Sequence, residues 1–526
     1  MKGDFSRFTF DPQKHYSRVL LQQGRVVTDA DFNEQADISV DLMRHFAADL
    51  IGPRGGPGDS FRIDPAFDAN GESVDCDFAI HRGHYYVDGI LCRNEPPVSC
   101  PSATHPPLIY TAQPYWTPEP LEAGEHYFVY LDVWERHVTH LQDDHIREVA
   151  LGGPDSATRS QVVWQVKAII PDVDGGTPGA ELCQELFQQL APPPSGCMRA
   201  RALVDEESTE PCIIPPQARY RGPENQLYRV EIHAGSSAEG DATFKWSRDN
   251  GSLVYPIETL KGSTATLEHL GRDDRQSLSV GDWVEAVDDE TALAGEPGPL
   301  LKVVAVNAQD RQVTLEAPEG VDVPVYEADN EVHPLLRRWD QKATEEEGLS
   351  DGAVPVVENE WIDLKDGVQV LFETGNSGEF QPGDYWMIPA RAATGDVEWP
   401  QTVDADGQRI PKALAPHGIL HHYAPLALIS VDANCVVSRD WDCRCTFQPL
   451  CSAPAQVSPP PPEPGGEIPV EDIDGVGDLF AERLRTGGIR FARQVAELDA
   501  PRLATILQTT ETRAATIIQS AREAIA

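Results

Sequence analysis

Ten cysteines offer the most direct chemistry in this 526-residue chain. The last four, Cys435, Cys443, Cys445 and Cys451, are spaced C-x7-C-x-C-x5-C, and His417, His421 and His422 lie shortly before them. Thiolates and imidazoles can together hold a tetrahedral metal, but none of these spacings is the C-x2-C of a zinc ribbon. No metal and no cofactor is therefore expected, with these four cysteines the metal candidates that remain. The ordinary alternative is reduced structural cysteines in the cytoplasm, or oxidised pairs in a chain carried out of the cell. A second cluster, DVWERHVTHLQDDHIRE (residues 132–148), sets carboxylates beside histidines, the ingredients of a hydrolase site. On a strand Asp132, Trp134 and Arg136 point one way while Glu135 and His137 point the other. Acids are common throughout this chain, so a solvated strand is the expected reading. DADFNE (29–34) resembles the start of a calcium loop but lacks its Gly at the sixth position and Glu at the twelfth, and it opens a helix, where acids favour the first turn.

The sharpest local motif is near the C-terminus. IDGVGDLFAERLRTGGIRFARQVAEL places Gly475-Val476-Gly477 in a turn before a helix. It resembles the helix-hairpin-helix family, whose G-x-G turn presents backbone N–H groups able to hold a phosphate. Residues 467–526 carry 10 acids and 7 arginines, however, whereas a nucleic-acid module is normally basic. Protein docking is the expected use, with Gly475, Gly477, Arg483, Arg485, Arg490 and Arg493 as docking candidates. No G-x-S-x-G elbow, P-loop, G-x-G-x-x-G or H-E-x-x-H occurs, which weighs against an enzyme.

These residues need elements to position them. Thr28, three residues before Asp31, forms a capping-box pattern, and a helix is expected at about 29–51. On it Phe32, Ala36, Ser39, Met43, Phe46 and Leu50 share one mostly apolar face. From about residue 60 short strands dominate, including HYFVYLDVWERHVTHL, SQVVWQVKAII and LYRVEIH. Asn250-Gly251 between ATFKWS and SLVYPI predicts a hairpin, and residues 278–320 read as a small barrel-like insert. Trp134, Trp164, Trp246, Trp283, Trp339, Trp361, Trp386 and Trp399 are spread along the body, as core and interface anchors would be. The expected fold is mainly β, multi-domain, with antiparallel sandwich or barrel-like modules, an N-terminal helix and a small all-α C-terminal domain. The expected boundaries are an N-terminal segment 1–59, a β-rich body 60–451, a Pro/Gly-rich linker 452–466 and the helical domain 467–526.

Charge narrows the partners. With 85 acids against 42 bases the chain carries −43, which repels nucleic acid and anionic membranes. No apolar run reaches membrane-spanning length and the first residues lack a signal-peptide pattern, so synthesis in the cytoplasm is expected.

Longer strings carry a wider resemblance. HYSRVLLQQGRVVTDADFNEQADI, GHYYVDGILCRNE, YLDVWERHVTHL, REVALGGPDSATRSQVVWQVK, RGPENQLYRVEIH, ATFKWSRDNGS, HPLLRRWDQ, GDYWMIPAR, HHYAPLALI and DCRCTFQPL occur in that order. Together they resemble a family of uncharacterised bacterial proteins whose genes accompany phage-tail-like contractile injection systems. The resemblance implies a non-enzymatic structural component of the particle, in its baseplate or spike region. Its partners would be other subunits of a large assembly, its release would follow that of the particle, and a homo-oligomer is compatible with it. The alternatives are a carbohydrate-binding fibre or hydrolase carried by the particle, and a delivered cargo protein.

Overall fold

The computed structural model describes the chain except residues 69–70, 97–105, 172–177, 191–194, 204–218, 237–240, 329–330, 343–347, 375–378, 449–467 and 526, and all counts below are of the described residues. Two compact units emerge, Met1–Phe447 and Gln448–Ala526. The protein is mainly β, with an N-terminal helix and a helical C-terminal unit. The proline-rich linker expected at 452–466, and Cys451 beside it, lie outside the described residues.

In the first unit, the strand His126–Val138 runs through the middle of a four-stranded sheet, between Arg159–Ile169 and His422–Val431. Tyr127 through Trp134 are all buried, because both faces of the strand are covered. One face meets Phe61, Phe78 and Tyr85, while the other meets Leu186 and Cys183 of helix α2 (Ala180–Gln189). The solvated-strand expectation is thus corrected. A strand covered on both faces reads as a continuous run of Val, Leu and aromatic residues rather than an alternation.

A second sheet has Gln226–Ala234 at its centre, paired with Thr243–Ser247 and Tyr385–Arg391, over a core that includes Tyr228, Phe244, Phe372 and Trp386. Beside it six strands close a barrel running from Val254–Lys261 to Leu335–Trp339. The barrel extends beyond both ends of the 278–320 stretch, since Trp283–Val287 must pair with Leu335–Trp339 to close it. A short helix α3 (Asp289–Ala294) follows Trp283–Val287. The predicted hairpin at Asn250-Gly251 is also corrected. Both residues have the positive φ of the expected turn, 50° and 64°, yet the flanking strands separate, one into the sheet and one into the barrel. Asn250 is buried and donates to the Gly3 carbonyl at 2.9 Å, so the turn holds the N-terminal segment instead.

Helix α1 (Asp29–Ile51) is capped by the Asp31 carboxylate, which accepts from the Thr28 N–H at 2.9 Å. Its inward face buries Ala30 and Ile38, and polar side chains around them fasten it. Asp29 accepts from the Ser6 hydroxyl, Glu34 from that of Thr9, and Arg44 pairs with Glu135 at 2.9 Å. The turn at Gly89 (φ 77°) lies so close to α1 that a Cβ there would strike the Arg44 carbonyl. The apolar face points outward: Phe32, Met43, Phe46 and Leu50 are each about two-thirds exposed (66–70 %). The preceding arm, residues 15–28, also exposes Tyr16, Leu20, Leu21 and Val26.

In the second unit α4 (Asp478–Thr486), α5 (Ala492–Ala496), α6 (Ala500–Leu507) and α7 (Glu511–Ile525) enclose a core that includes Val470, Leu484, Val495, Leu503 and Ile517.

Candidate functional site

A cleft of about 1190 Å³ lies where the N-terminal segment, the strand His126–Val138 and the barrel converge. Lys2, Arg229 and Glu231 of its lining belong to a cluster of buried charge. Glu231 lies on the central strand Gln226–Ala234 and meets Lys2 at 2.9 Å, Arg229 at 2.6 Å and Lys245 at 3.3 Å. Lys245 also meets Glu285 of the barrel at 2.6 Å. Glu285 in turn accepts from the Trp339 indole N–H at 2.8 Å and the Gly298 amide at 3.1 Å. Alternation along each strand aims these side chains at one point, so sheet, barrel and N-terminal segment are joined by one ion network.

Burial opposes ionisation of both carboxylates, but the cations win. Lys2, Arg229 and Lys245 hold Glu231 well below the usual range, and Lys245 with Lys2 brings Glu285 down to about 2. Burial pushes the Lys2 ammonium down to about 8 and the His137 and His417 imidazoles to about 4, which leaves both rings neutral at pH 7. Arg229 stacks on Tyr385 at 3.6 Å and Lys245 lies over Trp339 at 4.9 Å. Such an arrangement fixes charge and holds three parts of the fold together. A carboxyl serving as general acid would titrate nearer neutrality than Glu231 and Glu285 do.

Of the acid–histidine residues singled out in the sequence, Glu135, His137 and His140 all line the cleft, while Asp132 lies outside its lining. Asp132 is buried between Lys167 and His421, each at 2.7 Å. Glu135, on the other face, reaches the cleft but is paired with Arg44. His137 bonds the Thr158 hydroxyl at 2.7 Å and His140 pairs with Asp155. The metal candidates are dispersed. Cys435 forms a disulfide with Cys76 and Cys443 one with Cys183, which removes two thiolates from any site, while Cys445 is free and exposed. No cluster of three metal-ligating side chains occurs among the described residues. Spacing along the chain could not reveal these disulfides, whose partners lie 359 and 260 residues away. Glu231 and Glu285 had no sequence signal beyond being acids inside apolar strands.

In the helical unit, Gly475 takes a positive φ of 89° and Gly477 precedes the first turn of α4. The arginines there are mostly engaged. Arg483 donates to the Leu507 carbonyl at the end of α6, Arg485 pairs with Glu471 at 2.6 Å, and Arg493 lies 3.6 Å from Glu497. Arg490 is exposed.

Fold and site together define a mainly β protein in which a buried ion network ties sheet, barrel and N-terminal segment together. Residues 1–181 and 179–466 match the model of a family of unknown function, DUF6519, and the chain belongs to that family. No curated protein and no solved structure matches it. No helix among the described residues is long and apolar enough to cross a membrane.

Proposed function

We propose that the chain is a non-enzymatic structural component of a phage-tail-like contractile injection particle, docking other subunits through its β body and its helical C-terminal unit. The observation that carries this reading is the apolar surface of α1 and the arm before it. Contiguous apolar side chains on a well-formed helix, turned away from their own body, mark a surface that a partner covers. The resemblance of the ordered series of strings to proteins encoded beside contractile injection systems supports the particle as the setting. The two disulfides fit a chain made in the cytoplasm and released with a particle into oxidising surroundings. A two-carboxylate glycoside hydrolase would need one carboxyl kept protonated near neutrality, which the ionised pair Glu231 and Glu285 does not supply. The helix-hairpin-helix-like turn at Gly475 and Gly477 would serve protein docking, with Arg490 the arginine best placed to reach a partner.

Fractionation of cells that assemble particles tests this. The chain should co-sediment with purified particles, and its deletion should leave them incomplete or inactive. A chain found only outside the particle fraction, with normal particles after deletion, refutes the proposal.

A further inference from the structure

We infer that the outward stripe of α1 is a self-pairing seam, on which a second copy of this chain docks its own α1 in antiparallel orientation. The inference rests on reading that surface as an interface, and goes beyond the particle assignment by naming what covers it.

Spacing is the first argument. Phe32, Ala36, Ser39, Met43, Phe46 and Leu50 follow one another at intervals of 4, 3, 4, 3 and 4, the repeat of a coiled-coil seam, and all six are exposed. The intervals read the same backwards. An antiparallel copy therefore places Phe32 against Leu50, Ala36 against Phe46 and Ser39 against Met43. In two of the three kinds of layer a small residue faces a large one, which is how helices interdigitate without voids. Parallel pairing instead sets Ala36 on Ala36, Phe46 on Phe46 and the Asp29 carboxylate, one turn earlier on the same stripe, on its own copy.

Charge is the second argument. In a chain of net charge −43, most surfaces repel a second copy. Along α1, however, Asp31, Glu34, Asp37 and Asp41 sit off the stripe and are only partly exposed, flanking the face that buries Ala30 and Ile38. The flanks of the seam are Asn33, Val40 and Ala47 on one side and Gln35, Leu42 and Asp49 on the other. In the antiparallel register Val40 meets Val40, Leu42 meets Leu42 and Asp49 meets Gln35, so no two carboxylates are brought together.

Area is the third. With ordinary side-chain areas, the exposed parts of Phe32, Val40, Leu42, Met43, Phe46 and Leu50 sum to roughly 650 Å² per copy, so a pair buries about 1,300 Å², inside the range of specific interfaces. The two-fold pairing is closed and uses the same patch on both partners.

Light scattering on the size-fractionated full chain at micromolar concentration is the test. The wild type should run at twice the chain mass. Ala36→Lys and Phe46→Glu should each raise the dimer dissociation constant by about 100-fold or more while leaving circular dichroism unchanged. Combining Ala36→Lys with Phe46→Glu sets the introduced ammonium of one copy against the introduced carboxylate of the other, so the double variant should recover the dimer. A monomeric wild type, or a dimer indifferent to Phe46→Glu, overturns the inference. A double variant that stays monomeric overturns the antiparallel register. If the pure chain is monomeric yet Phe46→Glu expels it from particles, self-pairing falls and the assembly reading stands. A dimer that never enters particles gives the reverse.

Discussion

Replacing Glu285 with Gln should separate the ion network from ordinary packing. The amide keeps the shape of the side chain but removes the charge that Lys245 meets at 2.6 Å. Glu285 is 2 % exposed and its carboxyl is held at about 2, against 4.5 in the absence of the fold. A depressed carboxylate stabilises the fold above its unfolded value, and that contribution is lost as pH falls toward its folded value. That depression corresponds to a contribution on the order of 3 kcal/mol at pH 7, falling to roughly 1 kcal/mol at pH 3. The variant should therefore be about 3 kcal/mol less stable than wild type at pH 7, and the gap should close to about 1 kcal/mol at pH 3. Urea unfolding followed by tryptophan fluorescence measures it cleanly, because every tryptophan precedes Phe447 and the signal reports the first unit alone. A loss below about 1 kcal/mol at pH 7, or a gap unchanged between pH 7 and pH 3, would refute the reasoning.

Three further outcomes are expected. Gly89→Ala sets a Cβ against the Arg44 carbonyl at a positive φ, so it should loosen α1 and raise hydrogen exchange across Asp29–Ile51 by at least ~10-fold, a cost of about 1–3 kcal/mol. Non-reducing peptide mapping should recover Cys76 linked to Cys435 and Cys183 linked to Cys443, and Cys435→Ser should cost about 2–5 kcal/mol in urea unfolding; stoichiometric metal bound through Cys435 or Cys443 would contradict this. Arg483→Ala removes the donor to the Leu507 carbonyl and should destabilise the helical unit by about 1–2 kcal/mol in thermal unfolding, whereas Arg490→Ala should leave it within about 0.5 kcal/mol.

Local chemistry was legible where the cause lay within a few residues. Thr28 and Asp31 mark the start of α1, and the Gly475-Val476-Gly477 turn stands directly before α4. Asn250-Gly251 specified its turn but not its partners, since the flanking strands are claimed by the sheet and the barrel. The strand His126–Val138 was legible as a strand, yet its acids and histidines suggested exposure. Buried charge is tolerated there because Lys167 and His421 meet Asp132.

The sequence by itself determined the mainly β class, the helix at Asp29–Ile51 and the apolar stripe along it, because propensity, capping and periodicity act over one or two turns of chain. Only the tertiary structure decided that the stripe faces outward, that Cys435 and Cys443 bond to Cys76 and Cys183, and that Glu231 and Glu285 share Lys245. Periodicity records where apolar residues recur but not whether their cover comes from the same chain. Pairings hundreds of residues apart are set by how sheets and barrel close, which no local pattern encodes.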